Sequence, residues 1–444
     1  MPLHDDEMDK RREKREALRK KREAEAKRMK RMLILAAVVL VLCGAGIFAL
    51  VWKSGGLDAG GESSKPVQSV RETEPPKETV KATSPLQQST TQVIHINAAG
   101  DLNVTDTVVK SGLAVSGYDY SAAFKDVAAV LADADLTVMN FEGNVCGEPY
   151  GTETTSAPAD LLRDLRNAGV DLLQVANSCS INNGLNGLNA TLQAIRAAGI
   201  EPLGAYSSAN EYRTSKGYTI TEVQGVKVAF VAFTKGLGGR GMPAGNEDLV
   251  NLLYTDYAST YQKIDTERIE TILKNVEAER PDITVAMLHW GSEYNDDISK
   301  TQGSIVSLMQ KRGVDIIIGT HPHTVQPIVY DQAAGTLVAY SLGDFFGDAE
   351  RGGTNYSIIL NIEITKDSAA GTTKVTGYSY TPIYTVKSGE SAGDYAYSRV
   401  VRIEKALEAY NCNFLDKVTS TCKASMEKAL TRIEERLVMP KDED

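Results

Sequence analysis

A run of 21 residues without a charged side chain extends from Met32 to Trp52, with the sequence MLILAAVVLVLCGAGIFALVW. At about 1.5 Å of rise per residue, a helix of this length crosses a hydrocarbon core about 30 Å thick. A cleaved signal peptide usually has a shorter apolar stretch, of about 7 to 15 residues, and small residues at its cleavage site. We therefore predict a transmembrane helix over residues 32–52.

The residues before this run are basic and those after it are acidic. Residues 1–31 contain 13 Lys or Arg against 8 Asp or Glu, and 35 basic and 50 acidic residues follow them. Basic flanks stay on the cytoplasmic side, so we predict a single-pass protein of the cell membrane with a cytoplasmic N-terminus and an extracellular main domain. The membrane bilayer is thus the first expected partner. Nucleic acid is not expected, because the adjacent apolar run accounts for the basic segment.

The rest of the chain divides into three parts by composition. Residues 53–91 are rich in Gly, Ser, Pro and charged residues and contain no aromatic residue, so we predict a disordered linker. Over residues 92–386, short β-branched segments alternate with amphipathic ones, which is typical of an α/β domain with buried strands. Residues 387–444 are predicted to form a helical C-terminal tail.

Two segments depart from this simple alternation. The stretch YTITEVQGVKVAFVAF predicts a hairpin with Gln224 and Gly225 at its turn, and NYSIILNIEIT with KVTGYSYTPIYTV predicts a second antiparallel pair. The expected architecture is therefore a mixed sheet flanked by helices.

The five cysteines allow two disulfides on the predicted outer side of the membrane, since Cys43 lies in the apolar run. Cys412 and Cys422 are close in sequence and lie where a disulfide can persist. Cys146 and Cys179 could pair only if the fold brings them together.

Three of the five histidines follow predicted strands. His289 lies in MLHWGSEY, and His321 with His323 forms the His-Pro-His of GTHPHTVQP. Neutral imidazole is a common metal ligand, and a His-x-His loop after a buried strand directs two rings into one pocket. We predict a metal site there. His95 alternates with apolar Ile94 and is interpreted as structural.

Acidic and amide side chains occupy the ends of other predicted strands, namely Asp101, Asn140, Glu142, Glu293 and Asp344. Ligands of open α/β sheets bind outside the carboxyl ends of the strands, so these side chains should converge with the histidines. Carboxylate, amide and imidazole ligands suit Mn, Fe or Zn, and two such ions about 3.5 to 4 Å apart commonly serve phosphate-ester hydrolysis. The alternative for Asp101 and Glu142 is a helix cap or a turn residue.

These residues carry a resemblance to a known family. The segments that carry it are Gly100-Asp101, NFE at Asn140–Glu142, Ala176-Asn177, HWGSEY at His289–Tyr294, GTHPHTVQPI at Gly319–Ile328 and YSLGDF at Tyr340–Phe345. Their order resembles that of the CapA family of bacterial capsule, or poly-γ-glutamate, synthesis proteins over about residues 92–386. The resemblance implies a calcineurin-like metallophosphatase fold, an α/β sandwich of two mixed sheets flanked by helices. It also implies a role in making, exporting or anchoring poly-γ-glutamate with membrane-bound synthase or export partners.

Carried over by position, the resemblance makes a divalent metal site out of five side chains: Asp101, Glu142, His289, His321 and His323. We predict catalytic roles for Cys179, His289 and Glu293. We predict substrate contacts for Asn140, Asn177 and Asp344.

The chain departs from the family pattern at two places. The family commonly has Ala-Asn-Asn-His where this chain has Ala176-Asn177-Ser178-Cys179, and it commonly has Asn where Asp344 stands. In related phosphoesterases the Asn-His pair supplies a metal ligand and a histidine that meets the leaving group. Ser178 is a poor substitute for an amide ligand, and Cys179 could bind zinc as a thiolate but is a weak proton donor.

Three hypotheses about function follow. The first is a surface-anchored, metal-dependent hydrolase or transferase that acts on a phosphoester or a γ-glutamyl polymer. The second is a non-catalytic member that uses the same cleft to bind or guide an anionic polymer during export. The third, a 5′-nucleotidase-like phosphatase, would be expected to keep the Asn-His pair. The acidic body disfavours broad electrostatic capture of a polyanion, so any such contact should be local or metal-mediated.

Overall fold

The structure, a computed structural model, describes residues 91–391, 397–413 and 417–439. The predictions for residues 1–90 and for Cys43 fall outside these ranges. Within them, no helix combines the length and the apolar character that crossing a membrane requires.

Strands and helices alternate through most of the described chain. The strands are β1 (Thr91–Asn103), β2 (Leu136–Glu142), β3 (Leu172–Gln174), β4 (Glu201–Leu203), β5 (Thr219–Val223), β6 (Val226–Thr234), β7 (Ile283–His289), β8 (Ile316–Thr320), β9 (Ile328–Asp331), β10 (Thr336–Ala339), β11 (Asp344–Phe346), β12 (Tyr356–Asp367), β13 (Thr372–Val386) and β14 (Arg399–Arg402). The helices are α1 (Asp106–Ser111), α2 (Ser121–Leu131), α3 (Asp160–Asn167), α4 (Gly184–Ala197), α5 (Ala209–Ser215), α6 (Thr266–Glu279), α7 (Lys300–Lys311), α8 (Ile403–Asn411) and α9 (Ser420–Arg436).

The strands form two mixed sheets, so the prediction of mixed α/β architecture is confirmed. The first sheet has the order β14-β13-β12-β1-β2-β3-β4, with β11 paired parallel to β1. The second has the order β5-β6-β7-β8-β10-β9. Both predicted antiparallel pairs are present, as β5 with β6 and β12 with β13. Gln224 and Gly225 form the first turn at φ of 48° and 76°, the left-handed conformation that tight hairpin turns require.

The central strands of the second sheet, β6, β7 and β8, are buried on both faces, and β6 shows how its sequence achieves this. Val228 and Phe230 point into the core that the two sheets share. Ala229, Val231 and Phe233 point to the opposite face, into a second core with α6 and α7. An unbroken apolar strand is what such two-sided burial needs, because alternate side chains point to opposite faces.

Helix α7 begins at a capping box that can be recognised in the sequence. Ser299 Oγ accepts a hydrogen bond from the Gln302 backbone N (3.2 Å), and Gln302 Oε1 accepts one from the Ser299 backbone N (2.9 Å). The box satisfies two backbone donors at the helix start. This capping box marks the end of the loop that connects β7, which ends at His289, to α7.

The parallel strands of both sheets finish at one edge, where the functional residues collect. Strands β1, β2 and β3 run parallel in the first sheet, and β6, β7 and β8 run parallel in the second. The carboxyl ends of these strands carry Asp101, Glu142, His289 and His321, as the strand-end reasoning predicted.

A glycine holds Asp101 in place through a close backbone contact. The register of β1 against β2 shifts between Ala99 and Asp101, at Gly100. A Cβ on Gly100 would lie 1.8 Å from the Gly343 carbonyl oxygen, which accepts a 3.0 Å hydrogen bond from the Asp101 backbone N. Only glycine fits at this bulge without moving β11 away from β1.

Gly100→Ala should therefore destabilise the domain by about 3 kcal/mol, the upper range for overpacking, because the contact is with backbone and cannot rotate away. Gly303→Ala is the matched control. Gly303 lies within α7 and a Cβ there would meet nothing within 4 Å, so alanine should stabilise by about 0.5 kcal/mol. Chemical unfolding followed by circular dichroism measures both. Equal stability of the two variants would contradict the close contact.

The region after residue 387 contributes a strand as well as helices. Strand β14 pairs antiparallel with β13, and α9 buries Cys422, Met426 and Ile433 against the shared core. The two disulfides considered from sequence are absent in the described residues, because Cys146, Cys179, Cys412 and Cys422 are all free thiols.

Candidate metal centre

The three histidines meet at the strand-end edge. The rings of His289 and His321 are 4.5 Å apart between centroids, and those of His321 and His323 are 5.9 Å apart. All three residues are buried. His321 and His323 have φ of 92° and 59°, conformations that cost free energy for side chains other than glycine. Retaining strain at both positions is typical of a functional loop.

Three carboxylates lie against these rings. His323 Nδ1 is 2.8 Å from Asp344 Oδ1 and 3.5 Å from Asp101 Oδ2. Glu142 Oε1 is 3.5 Å from His289 Nε2, and Glu142 Oε2 is 4.0 Å from His323 Nε2. Strand pairing accounts for part of this arrangement, since Asp101 and Asp344 are register partners in β1 and β11.

The cluster contains three overlapping sets whose ligand atoms lie within 4.8 Å of one another: Glu142 with His289 and His321, Glu293 with His321 and His323, and Asp101 with His323 and Asp344. Every predicted metal ligand is in at least one set. Asp344, which we predicted to contact substrate, is also a member. Cys179 belongs to none of these sets.

Two buried atoms in the cluster have no hydrogen-bond partner in the described structure, namely Glu142 Oε2 and His321 Nδ1. A buried carboxylate oxygen and a buried ring nitrogen without partners are costly. A divalent cation would satisfy both. The donor set of imidazoles and carboxylates also suits Mn, Fe or Zn, so these residues fit a metal ion.

Burial and mutual charge set the protonation of the cluster. Burial raises the pKa of Asp101 to about 6 and that of Glu142 to about 8. Burial and the neighbouring cationic side chains hold the pKa values of His289 and His321 well below the usual range, so both rings are neutral and can act as ligands. Burial opposes the charged form of His323, but Asp344, Glu142 and Asp101 together outweigh it and raise the pKa of His323 well above its usual value.

The two amides that we predicted to contact substrate lie one layer deeper. Asn140 Nδ2 donates to Asp101 Oδ1 (2.6 Å), and Asn177 Nδ2 donates to Asn140 Oδ1 (3.1 Å) and to the Phe141 carbonyl (2.7 Å). Both are fully buried. Asn177 Oδ1 also accepts from the Cys179 backbone N (3.0 Å). The pair therefore orients Asp101 and the loop that carries Cys179, a role in positioning.

The loop with the unusual sequence faces the cluster. Ser178 Oγ is 3.0 Å from His289 Nε2. Cys179 is half-buried, and burial followed by the nearby Glu142 raises the pKa of its thiol well above the usual range. A thiol held protonated in this way is neither a thiolate ligand nor an effective proton donor near neutral pH.

Glu293 differs from the other candidates because it is exposed. It lies on the wall of a cavity of about 320 Å³ that Ser178, Lys235 and His321 also line. Its carboxylate reaches the cluster, as its place in one ligand set shows, and it remains accessible to a substrate.

Sequence reasoning missed three residues that support the site. Lys235 directly follows β6, and its backbone N donates to the His289 carbonyl (2.8 Å). Asn103 Nδ2 donates to Asp344 Oδ1 (2.9 Å), and Thr320 Oγ1 is 3.2 Å from His289 Nδ1. All three lie at carboxyl ends of strands, so the rule that selected His289 could have found them.

Comparison with known proteins places the chain in a family. The family described as "Bacterial capsule synthesis protein PGA_cap" matches residues 95–349. The "PGA biosynthesis protein CapA" of Bacillus subtilis (strain 168) is 27% identical over 253 residues, which cover 55% of this chain and 61% of that protein. The "Capsule biosynthesis protein CapA" of Bacillus anthracis is 27% identical over 276 residues, covering 60% and 63%. The chain thus spans less than two thirds of the length of these relatives.

Solved structures give a weaker likeness. A hypothetical protein from Thermus thermophilus has a TM-score of 0.38 at 14% identity, covering 65% of this chain and 98% of that one. A structure titled as a novel phosphatase from Mycoplasma pneumoniae has a TM-score of 0.38 at 13% identity, covering 66% and 94%. These scores are too low to support a conclusion about function. The match over residues 95–349 is decisive, and the chain belongs to the bacterial capsule synthesis protein family PGA_cap.

Proposed function

We propose that this protein acts at the cell surface in the synthesis, export or anchoring of poly-γ-glutamate, and that its cleft binds divalent metal ions. Family membership and the names of the two curated relatives support the role in capsule formation. The uncharged run at 32–52 supports attachment to the membrane, where synthase or export partners would lie.

The observation that carries the metal proposal is the pair of buried atoms without a hydrogen-bond partner among the described residues, Glu142 Oε2 and His321 Nδ1, beside the neutral rings of His289 and His321. Asp101, Glu142, Asp344 and the three histidines would hold the ions in a metallophosphatase-type cleft. Two mixed sheets that present their strand ends at one edge are consistent with that arrangement. A bound divalent ion would supply Lewis-acid polarisation of a phosphoryl or carbonyl oxygen.

The residues of this chain then divide the remaining tasks. Asn140 orients the Asp101 carboxylate, and Thr320 contacts the Nδ1 side of the His289 ring. Ser178 places a hydroxyl beside His289, and Cys179 keeps its proton because of burial. Binding of an anionic polymer is therefore better supported than rapid hydrolysis, because the loop lacks an effective proton donor.

Metal content and polymer binding test this proposal together. The full-length chain, purified in non-ionic detergent, should retain Mn, Fe or Zn by elemental analysis, and should bind poly-γ-glutamate more tightly with metal than after chelation. A chain that binds no divalent ion at neutral pH would contradict the proposed cleft. Metal binding without any effect on the polymer would contradict the proposed role of the ion.

An active, metal-dependent phosphoester hydrolase of the cell surface is the second candidate function. The specific observation in its favour is that both the histidine cluster and the accessible Glu293 are retained. Substantial turnover of a generic phosphodiester by the unmodified chain with Mn²⁺ would favour this candidate over binding alone.

Metal affinity should rise with pH. The pKa values of Asp101 and Glu142 are raised to about 6 and about 8, so a proton competes with the metal for each carboxylate below these values. Between pH 6 and 7 Glu142 is protonated in the metal-free site, and release of its proton should strengthen binding about tenfold. Calorimetry in buffers of different ionisation enthalpy should detect at least one proton released at pH 7. Affinity that is flat or falls over this range would contradict the assignment.

A further inference from the structure

Residues of the metal cluster line two cavities. One cavity, of about 320 Å³, is lined by His321, Ser178, Glu293 and Lys235, among others. The second, of about 240 Å³, is lined by His323, Cys179, Tyr294 and Arg351, among others. We call them the lysine cavity and the arginine cavity.

Three loops of the site each divide their residues between these cavities. Ser178 lines the lysine cavity and the next residue, Cys179, lines the arginine cavity. Glu293 and its neighbour Tyr294 are divided in the same way. The His-Pro-His turn does the same with its two histidines. Because the division recurs in three separate loops, and cluster residues line both cavities, the two cavities adjoin each other along the cluster.

Each cavity has one basic side chain held against a tyrosine ring. Lys235 Nζ lies 4.7 Å from the centroid of Tyr261, in the lysine cavity. The Arg351 guanidinium carbon lies 4.0 Å from the centroid of Tyr294, in the arginine cavity. Tyr294 in turn stacks on His323, with 5.3 Å between ring centroids. These contacts fix a positive charge on each side of the cluster.

Neither basic side chain forms an ion pair with a carboxylate of the described residues. The Lys235 ammonium donates to the Gly291 carbonyl (2.6 Å), and no carboxylate of the described residues lies within ion-pair distance of it. Burial lowers the pKa of Lys235, and the negative charge of Glu293, which lines the same cavity, offsets only part of this effect. The guanidinium of Arg351 also forms no ion pair in the same ranges, and Glu350 is paired with Lys387 at 3.6 Å. The carboxylates that line the arginine cavity with it are Glu142, Asp344, Asp348 and Glu350.

We propose that the cleft binds an internal segment of an anionic polymer, which crosses the cluster from one cavity to the other. Lys235 pairs with an anionic group on one side and Arg351 with an anionic group on the other. This inference rests on the proposed function for the identity of the polymer, a chain of γ-linked glutamates with one carboxylate in each unit. The acidic body of the protein repels polyanions in general. Attraction of the polymer into the cleft therefore depends on the two local positive charges of Lys235 and Arg351.

Fluorescence anisotropy with labelled glutamate oligomers tests the proposal on the full-length chain. An oligomer that is long enough to span both cavities, with both ends blocked, should bind as tightly as the same oligomer with free ends. Lys235→Met and Arg351→Met should each weaken its binding about tenfold. This effect is larger than that of losing a fully exposed ion pair and smaller than that of losing a buried one. Lys235→Arg and Arg351→Lys should restore most of the affinity.

Lys274→Met is the matched control, because Lys274 is exposed on α6 and lines neither cavity. It should leave the affinity unchanged. Loss of binding on blocking the ends would overturn the internal-segment proposal, as would equal effects of the Lys235, Arg351 and Lys274 variants. A polyphosphate of matched charge that binds more tightly, with the same dependence on Lys235 and Arg351, would overturn the polycarboxylate assignment.

Metal binding is measured on the same samples by elemental analysis, so the two proposals can fail separately. Oligomer binding that depends on both cations in a chain without metal would contradict the proposed metal centre and support this inference. A normal metal content, with oligomer binding that does not change in the Lys235 and Arg351 variants, would support the metal centre and contradict this inference.

Discussion

His321→Ala should remove divalent metal binding almost completely. His321 belongs to two of the three ligand sets, and its Nδ1 is one of the two buried atoms in the cluster that lack a partner among the described residues. Loss of a residue that only hydrogen-bonds to a metal ligand typically weakens metal affinity by about 10- to 100-fold. Removing one of the ligating imidazoles should therefore weaken it by roughly 100-fold or more. Titration of the metal-free chain with Mn²⁺, followed by calorimetry, measures the change.

The variant should remain folded, which makes the result interpretable. The hydrogen bond that anchors this turn to Asp101 comes from the His321 backbone N (3.0 Å), and alanine retains it. His95→Ala is the matched control, because His95 lies in β1 and contacts Asn361 (3.2 Å) instead of the cluster. If His321→Ala binds Mn²⁺ like the unmodified chain, or if His95→Ala loses binding equally, the metal is not held by this cluster.

Strand-end chemistry could be predicted from sequence because it follows from topology. Once β7 and β8 are recognised as buried parallel strands, His289 and His321 must emerge at the same edge of the sheet. The same argument applies to Asp101 and Glu142 in the other sheet. Convergence of these side chains with the histidines was predicted from the strand ends, and the contact of His323 with Asp101 at 3.5 Å agrees with it. The division of the strands into two sheets was an expectation that the resemblance added.

Burial and direction of side chains could not be predicted in this way. Asn140 lies in β2, in which every residue is buried. The sequence of such a strand does not show whether a polar side chain contacts a ligand or donates a supporting hydrogen bond. The position of Lys235 at a strand end could have marked it as a candidate, but it could not show that the ammonium is held in the site. Its role depends on Tyr261 and the Gly291 carbonyl, which come from distant loops.

The C-terminal region shows a further limit. The segment Arg399–Arg402 is only four residues long, too short for a strand pattern to stand out from the helices that follow. Its pairing with β13 depends on a long-range contact that the local sequence does not encode.

The double variant Ser178→Asn with Cys179→His should gain phosphodiesterase activity. The unmodified loop offers a hydroxyl 3.0 Å from His289 Nε2 and a thiol whose pKa is raised by burial, so it provides neither an amide ligand nor an acid that titrates near neutral pH. An imidazole at position 179 would supply such an acid. Positioned general acids contribute about 10²- to 10⁴-fold, and we expect kcat/KM with Mn²⁺ to rise by a factor in that range.

The space for the change exists beside Cys179, which lines the arginine cavity of about 240 Å³. Each single variant is needed as a control, because the amide alone should alter metal affinity more than turnover, whereas the imidazole alone should alter turnover and add a pH dependence near its own pKa. Cys179→Ser, which removes the thiol without adding an acid, should leave the phosphodiesterase rate unchanged. A double variant that folds and binds Mn²⁺ normally but gains no activity would show that this loop is not what limits hydrolysis.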